Sequence, residues 1–291
     1  MITKSTTPFY PERFIRGNLN FLQNRLNRTF CEFIMLDIKQ IESFYPEHLW
    51  PFKKNLLREY LQYKILEAIF ESPMADKLTF MGGTCIHMVH GSPRFSEDLD
   101  FDNPGIGRHD FKALSQRVKR TLELQGHTVE LKNTYQDAFR ASLRFPGLLH
   151  ASGISGHRDE KLLIQIDTEP QEVQYNPDKF ILNKFDVFSR INIVPADILA
   201  AQKIYCIFNR RRPMGRDFFD VVFLLGKSGV NFDYLTRKMS IRNKTELKDN
   251  LLLRCAQLNF KRLAKDLEPF VYSKKEVNRV LMFPDFVQQE I

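Results

Sequence analysis

From residue 14 to about residue 72, apolar side chains recur every three or four positions. Phe30, Phe33, Ile34, Ile38 and Ile41 form one run, and Leu56, Leu57, Tyr60, Leu61, Ile65, Ala68 and Ile69 another, the repeat of helices that each bury one face. Residues 46–51, bounded by Pro46 and Pro51, interrupt the pattern, and Ser72-Pro73 ends it, because proline breaks the hydrogen-bond ladder and disfavours helix in the residue before it. The period then changes. Residues 78–81 read as a short strand, Gly82-Gly83-Thr84 as a turn, 85–90 as a helix, Gly91-Ser92-Pro93 as a second turn, and 94–102 as an alternating strand. Residues 109–125 have helical spacing that stops at Gly126, and 128–131 resume alternation. Further strands are expected at 141–145 and 161–168, with 151–156 as a hairpin loop between them. Beyond Pro195 the pattern is helical again, at 197–209, 217–226, 246–267 and 274–281, with polar loops after Gly226. This order predicts an α+β chain: an N-terminal helical segment (1–72) packed on the core, a core over 73–194, and a C-terminal helical domain over 195–291.

Composition narrows the class. A hydrophobic content of 43%, with 26 phenylalanines spread along 291 residues, supplies a core and argues against disorder. No apolar run approaches the roughly 20 residues of a membrane span, and the N-terminus lacks a signal-peptide core, so a cytoplasmic protein with no membrane partner is expected. Cys31, Cys85, Cys206 and Cys255 stand far apart without a CxxC pair and are expected to be free thiols. Lys and Arg outnumber Asp and Glu by 43 to 35, and the excess gathers between Arg190 and Lys265, around Arg210-Arg211-Arg212, Arg216 and Arg237-Lys238. A phosphate-bearing partner and an ordinary basic surface both fit that balance.

Candidate chemistry lies in the middle of the chain. Gly82-Gly83 between a strand and a helix allows a tight turn with backbone N–H groups open to a phosphate at the helix N-terminus, where Thr84 could add a hydroxyl; a plain strand-to-helix turn is the alternative. An alternating strand over 94–102 would set Ser96, Asp98, Asp100 and Asp102 on one face and Phe95, Leu99 and Phe101 on the other. Carboxylates so arranged repel one another unless water or a cation neutralises them, and oxygen-only ligands favour Mg²⁺ or Mn²⁺. Asp167 ends the next apolar strand. Asp98, Asp100 and Asp167 on adjacent strands would form a metal triad for in-line phosphoryl or nucleotidyl transfer. His87 and His90 are spaced for one helix face, but no third ligand is placed near them, which favours packing.

Gly82-Gly83-Thr84 followed by Arg94-Phe95-Ser96-Glu97-Asp98-Leu99-Asp100-Phe101 closely resembles the motif of the AbiEii/AbiGii type IV toxin family, a branch of the DNA polymerase β-like nucleotidyltransferases. Lys203, then Arg210 and Arg216-Asp217-Phe218-Phe219-Asp220, is similar to the family's C-terminal motif, although many relatives carry Glu where this chain has Gln202. The resemblance implies a mixed-sheet nucleotidyltransferase core with a C-terminal helical bundle. It implies an NTP bound through Gly82, Gly83, Thr84, Arg94, Ser96, Lys203, Arg210 and Arg216, catalysis by Asp98, Asp100, Asp167, Lys203 and Asp217, and a divalent cation on the three core aspartates. On a helix, Lys203 and Arg210 would share a face and could hold a triphosphate, or be an ordinary basic surface; Asp217 and Asp220 could orient these cations or complement a helix dipole. The implied role is a toxin with a separately encoded antitoxin, acting on RNA such as the tRNA 3′ end or on a protein. A non-catalytic nucleotide- or RNA-binding protein that keeps the fold, and a metal-dependent nuclease, are the alternatives.

Overall fold

The computed structural model describes residues 36–136 and 138–291. The helical pattern expected before Leu36, and Cys31, lie outside the described residues. Helix α1 (Ile38–Glu42) opens with Asp37 and Gln40 capping each other's backbone N–H groups. A 3₁₀ turn (Glu47–Phe52) follows at the proline-bounded stretch and leads into α2 (Lys53–Phe70). The core elements are β1 (Thr79–Met81), α3 (Gly82–His90), β2 (Leu99–Asp102), α4 (Arg108–Leu124), β3 (Glu130–Tyr135), β4 (Phe139–Phe145), a short α5 (Leu148–Ala151), β5 (Leu162–Thr168), β6 (Asp178–Lys184) and β7 (Val187–Ile193). Then come α6 (Ala196–Asn209), α7 (Gly215–Leu225), α8 (Phe232–Met239), α9 (Lys244–Cys255), α10 (Phe260–Leu267), α11 (Asn278–Leu281) and α12 (Phe283–Glu290). No helix among the described residues is long and apolar enough to cross a membrane.

The seven strands form one mixed sheet in the order β3-β4-β5-β2-β1-β7-β6. β2 runs parallel to β5 and β1 to β7, and the other neighbours are antiparallel. Alternation along each strand separates the faces. Phe80 and Phe101 are paired in register and fully buried, with Phe101 against Phe70 of α2, so this face carries the core beneath α2 and α4. The other face carries a straight row across four strands: Met81, Asp100, Asp167 and Arg140 are successive register partners in β1, β2, β5 and β4.

Four local expectations need correction. The strand expected over 94–102 begins at Leu99. Upstream of it the backbone leaves the sheet: Arg94 bridges Val271, Phe95 N–H donates to Phe270 O, and Tyr272 N–H donates to Pro93 O. The β6–β7 hairpin was not expected; its two-residue turn places Phe185 at φ 59°, where glycine or asparagine would have marked a turn. The expected loop at 151–156 is preceded by the helical turn α5. In the C-terminal third, α8 lies in what read as polar loop, the helical run over 246–267 is split into α9 and α10, and α12 follows the last expected helix. Asn231, Asn243 and Asn259 each cap a helix there, accepting from a backbone N–H three residues on. Gly215 lets α7 cross α10 closely: a Cβ there would lie 2.8 Å from the Leu263 carbonyl carbon.

Candidate active site

The acidic face is built by register. Asp100 and Asp167 are paired residues of parallel strands, and Asp98, just before β2, accepts from Gln165 Nε2 of β5 at 3.3 Å. Asp100 is pushed up to about 6, chiefly by burial, with Asp167 and Asp98 adding to the effect against the opposing charges of Lys203 and Arg210. Asp98 is raised as well, again first by burial. Asp167 is engaged from β4: Arg140 Nε and Nη2 donate to its two carboxylate oxygens at 2.6 and 2.9 Å. Among the described residues no three His, Cys, Asp or Glu side chains are gathered at metal-holding distance. Asp98 and Asp100 nonetheless fit a hard divalent cation. They are oxygen donors whose negative charge is opposed by burial and mutual repulsion, and a bound cation would relieve both.

Helix α3 starts directly from β1, and its first residue, Gly82, takes φ +77°. A Cβ there would fall inside van der Waals distance of Asp100 Oδ2 and 2.8 Å from its Cβ and Cγ, so the missing side chain is what lets the carboxylate lie against the turn. Gly83 is equally tight: a Cβ at this position would fall 2.5 Å from Arg94 Nη2 and 2.9 Å from Ser96 Oγ. Ser96 therefore flanks the glycine turn.

Two of the expected nucleotide ligands serve the scaffold instead. Thr84 is fully buried and its hydroxyl donates to the Asp98 carbonyl, fixing the backbone that carries the first aspartate. Arg94 is 1% exposed and donates through Nε and Nη2 to Asp220 at 2.6 Å each, and through Nη1 to the Phe95 carbonyl at 3.1 Å. All of its nitrogens are used inside the protein.

The later motif is organised around two buried aspartates of α7. Lys203 of α6 lies 3.0 Å from Asp220 and 3.3 Å from Asp217; burial opposes its charge, but both carboxylates outweigh burial and keep it an ammonium. Arg210 is not on the helix face shared with Lys203, since α6 ends at Asn209 and Arg210 is in extended conformation. Its Nε is 3.0 Å from Asp217 Oδ2, without the alignment of a hydrogen bond, and nearly half of the side chain is open to solvent. Asp217 thus holds both cations rather than facing the carboxylate row. Arg216 makes no ion pair among the described residues; it lies 4.6 Å over the Phe270 ring and lowers the Asp98 carboxyl against burial.

A cavity of about 240 Å³ is lined by Gly82, Asp100, Lys203 and Arg210 together with Gln171, Tyr205 and Tyr234. Gln171 Oε1 accepts from Tyr234 Oη at 3.0 Å and from Gln202 Nε2 at 3.2 Å. Gln171, Tyr205, Tyr234 and Arg140 had no local sequence signal; β4, the segment after β5, α6 and α8 bring them here only once folded. His87, by contrast, is spent on structure: Nε2 is 2.9 Å from Glu59 and Nδ1 is 2.8 Å from the Ser92 carbonyl, while burial lowers His90.

A family model described as the nucleotidyl transferase AbiEii toxin of type IV toxin–antitoxin systems matches residues 64–285. The chain belongs to the AbiEii family. Structural relatives of this AbiEii protein include JHP933 from Helicobacter pylori, at TM-score 0.52 and 17% identity over 81% of this chain and 91% of that one. A second H. pylori structure, described as that of a candidate nucleotidyltransferase, has TM-score 0.52 and 18% identity over 81% and 93% of the two chains. These likenesses are of fold. No curated protein matches. The match embraces the glycine turn, the carboxylate row and the Lys203–Asp220 cluster, so the AbiEii protein is a nucleotidyltransferase-type toxin at the level of its family.

Proposed function

We propose that this AbiEii protein transfers a nucleoside monophosphate from an NTP to an acceptor hydroxyl, on RNA such as the tRNA 3′ end or on a protein, and is opposed by a separately encoded antitoxin. The observation that carries the reading is the pair Asp98 and Asp100, destabilised as anions, with Asp100 lining a cavity that Lys203 and Arg210 also line. Asp98 and Asp100, with Asp167 as a third ligand, would hold Mg²⁺ or Mn²⁺, which when bound supplies charge neutralisation at the reacting phosphate.

The chain's own groups do the rest. The turn at Gly82-Gly83 offers backbone N–H groups at the N-terminus of α3, and Ser96 adds a hydroxyl beside it. Arg216 and Arg210 face the phosphates as guanidinium groups, while Lys203 is fixed by Asp217 and Asp220 so that it contributes charge without moving. The base lies toward Gln171, Tyr205 and Tyr234. The acceptor oxygen attacks the α-phosphorus, its proton passes to Asp167, the bond to the bridging oxygen breaks, and pyrophosphate leaves toward Arg210. The working unit on this reading is the core over 73–194 together with the helices over 195–291, with the described residues 36–72 packed on the core.

The test incubates the full chain with each α-labelled NTP, Mg²⁺ and total tRNA, beside Asp98→Ala. Label is expected on tRNA or on protein with the wild type and to be lost with the variant. NTP binding without label on any acceptor would favour a non-catalytic binder, and tRNA shortening without NTP consumption would favour a nuclease.

A further inference from the structure

The Asp167 carboxylate occupies the register position beside Asp100, yet both of its oxygens are taken by a residue that belongs to neither motif. Arg140 is the direct partner of Asp167 across the antiparallel β4–β5 pair, as Asp100 is across the parallel β2–β5 pair, so carboxylate, carboxylate and guanidinium stand side by side on one face. The Arg140–Asp167 contact is a two-bond fork at 2.6 and 2.9 Å, the geometry in which a guanidinium holds a carboxylate's orientation rather than merely neutralising it. Asp98, Asp100 and Asp167 do not form a three-ligand cluster among the described residues. Half of the Arg140 side chain is in solvent, so it can leave Asp167 without opening the core. Arg140 stays a guanidinium, held so first by the hydrogen bond and charge of Asp167 and then by the charges of Asp98 and Asp100.

We infer that Arg140 is a positioning residue that holds Asp167 away from the Asp98–Asp100 cation site and occupies that carboxylate until a divalent ion displaces it. The inference rests on the metal-dependent reading above and adds to it the residue that competes with the ion. Release of the fork turns a two-carboxylate site into a three-carboxylate one and removes a positive charge from its edge. Both changes tighten divalent-ion binding.

The test measures Mn²⁺ binding to the full chain, without NTP, by the electron paramagnetic resonance signal of free Mn²⁺. Arg140→Gln is expected to bind Mn²⁺ on the order of tenfold more tightly than the wild type, the scale on which residues behind a metal ligand tune affinity. Arg140→Lys, which keeps the charge and loses the fork, should fall between the two. In an Asp167→Asn background, Arg140→Gln should shift affinity far less, a result that a purely structural role for Arg140 would not produce. Thermal melting of each variant verifies the fold, which an exposed ion pair should leave nearly unchanged. Mn²⁺ binding that is abolished by Asp100→Asn but unmoved or weakened by Arg140→Gln overturns the inference and leaves the metal reading standing. Binding absent from both the wild type and Arg140→Gln overturns both.

Discussion

Replacing Gly82 with alanine tests how the glycine turn serves the carboxylate row. The perturbation has two separable parts. The backbone at φ +77° disfavours any side chain, which costs about 1–2 kcal/mol, and the new methyl would collide with the Asp100 carboxylate, a forced displacement of about 1–3 kcal/mol. Gly91 provides the control, because it has φ +73° and nothing within 4 Å of the position its Cβ would take. Gly91→Ala should therefore show the backbone part alone. At about 2–4 °C per kcal/mol for a chain somewhat shorter than this one, Gly82→Ala should lower the melting temperature by roughly 5–15 °C and Gly91→Ala by roughly 2–6 °C. Calorimetry or circular dichroism reads the stability, and Mn²⁺ binding reads Asp100. Gly82→Ala should weaken binding and Gly91→Ala should not. Equal melting temperatures with equal Mn²⁺ affinities would refute the claim that the turn exists to seat Asp100.

Two further outcomes follow from the buried charges. Asp220→Asn leaves the fully buried Arg94 without its counter-ion and should destabilise the protein by about 3–5 kcal/mol in denaturant melts, whereas Arg94→Met with Asp220→Leu, which removes both charges, should restore much of that loss. Asp100, raised from 3.8 to about 6 on folding, is a carboxyl whose ionisation opposes the folded state: the penalty is absent below about pH 4, grows as pH rises from there through about 6, and is complete above. In chelator, Asp100→Asn should therefore melt higher than the wild type at pH 7.5, by on the order of 3 kcal/mol, with the gain vanishing near pH 4; a constant gain across that range would contradict the assignment.

What the sequence made legible was local. The glycine turn, helix α3 and the apolar runs of β2 and β5 follow from residue spacing, and the register of β2 on β5 brings Asp100 and Asp167 together where the pattern had placed them. What it hid was non-local. The alternation from Arg94 to Asp98 imitates a strand, but Arg94 is drawn out of the sheet by Asp220, 126 positions later, and the neighbouring backbone is paired with residues 270–272. Nothing near Arg94 in sequence distinguishes a phosphate ligand from a buried tie. Arg140 lies in an alternating strand like many surface arginines, and only the β4–β5 register reveals that it faces Asp167. Lys203 and Arg210 are close to two helical turns apart in sequence, yet the helix ends between them, so their meeting place is Asp217 rather than a shared helix face.

The chain of charges from Arg94 through Asp220, Lys203 and Asp217 to Arg210 has a mechanical meaning. Its first member, Arg94, belongs to the loop that delivers the first aspartate, the other four follow Pro195, and its inner links are sealed from water. A cut at the boundary that the hydrophobic pattern suggests would strand the Arg94 guanidinium in one fragment and leave Asp220 in the other with Lys203 alone. Sheet and helical third would therefore unfold in a single transition, and a change in how the late helices pack would be felt at the loop carrying Asp98.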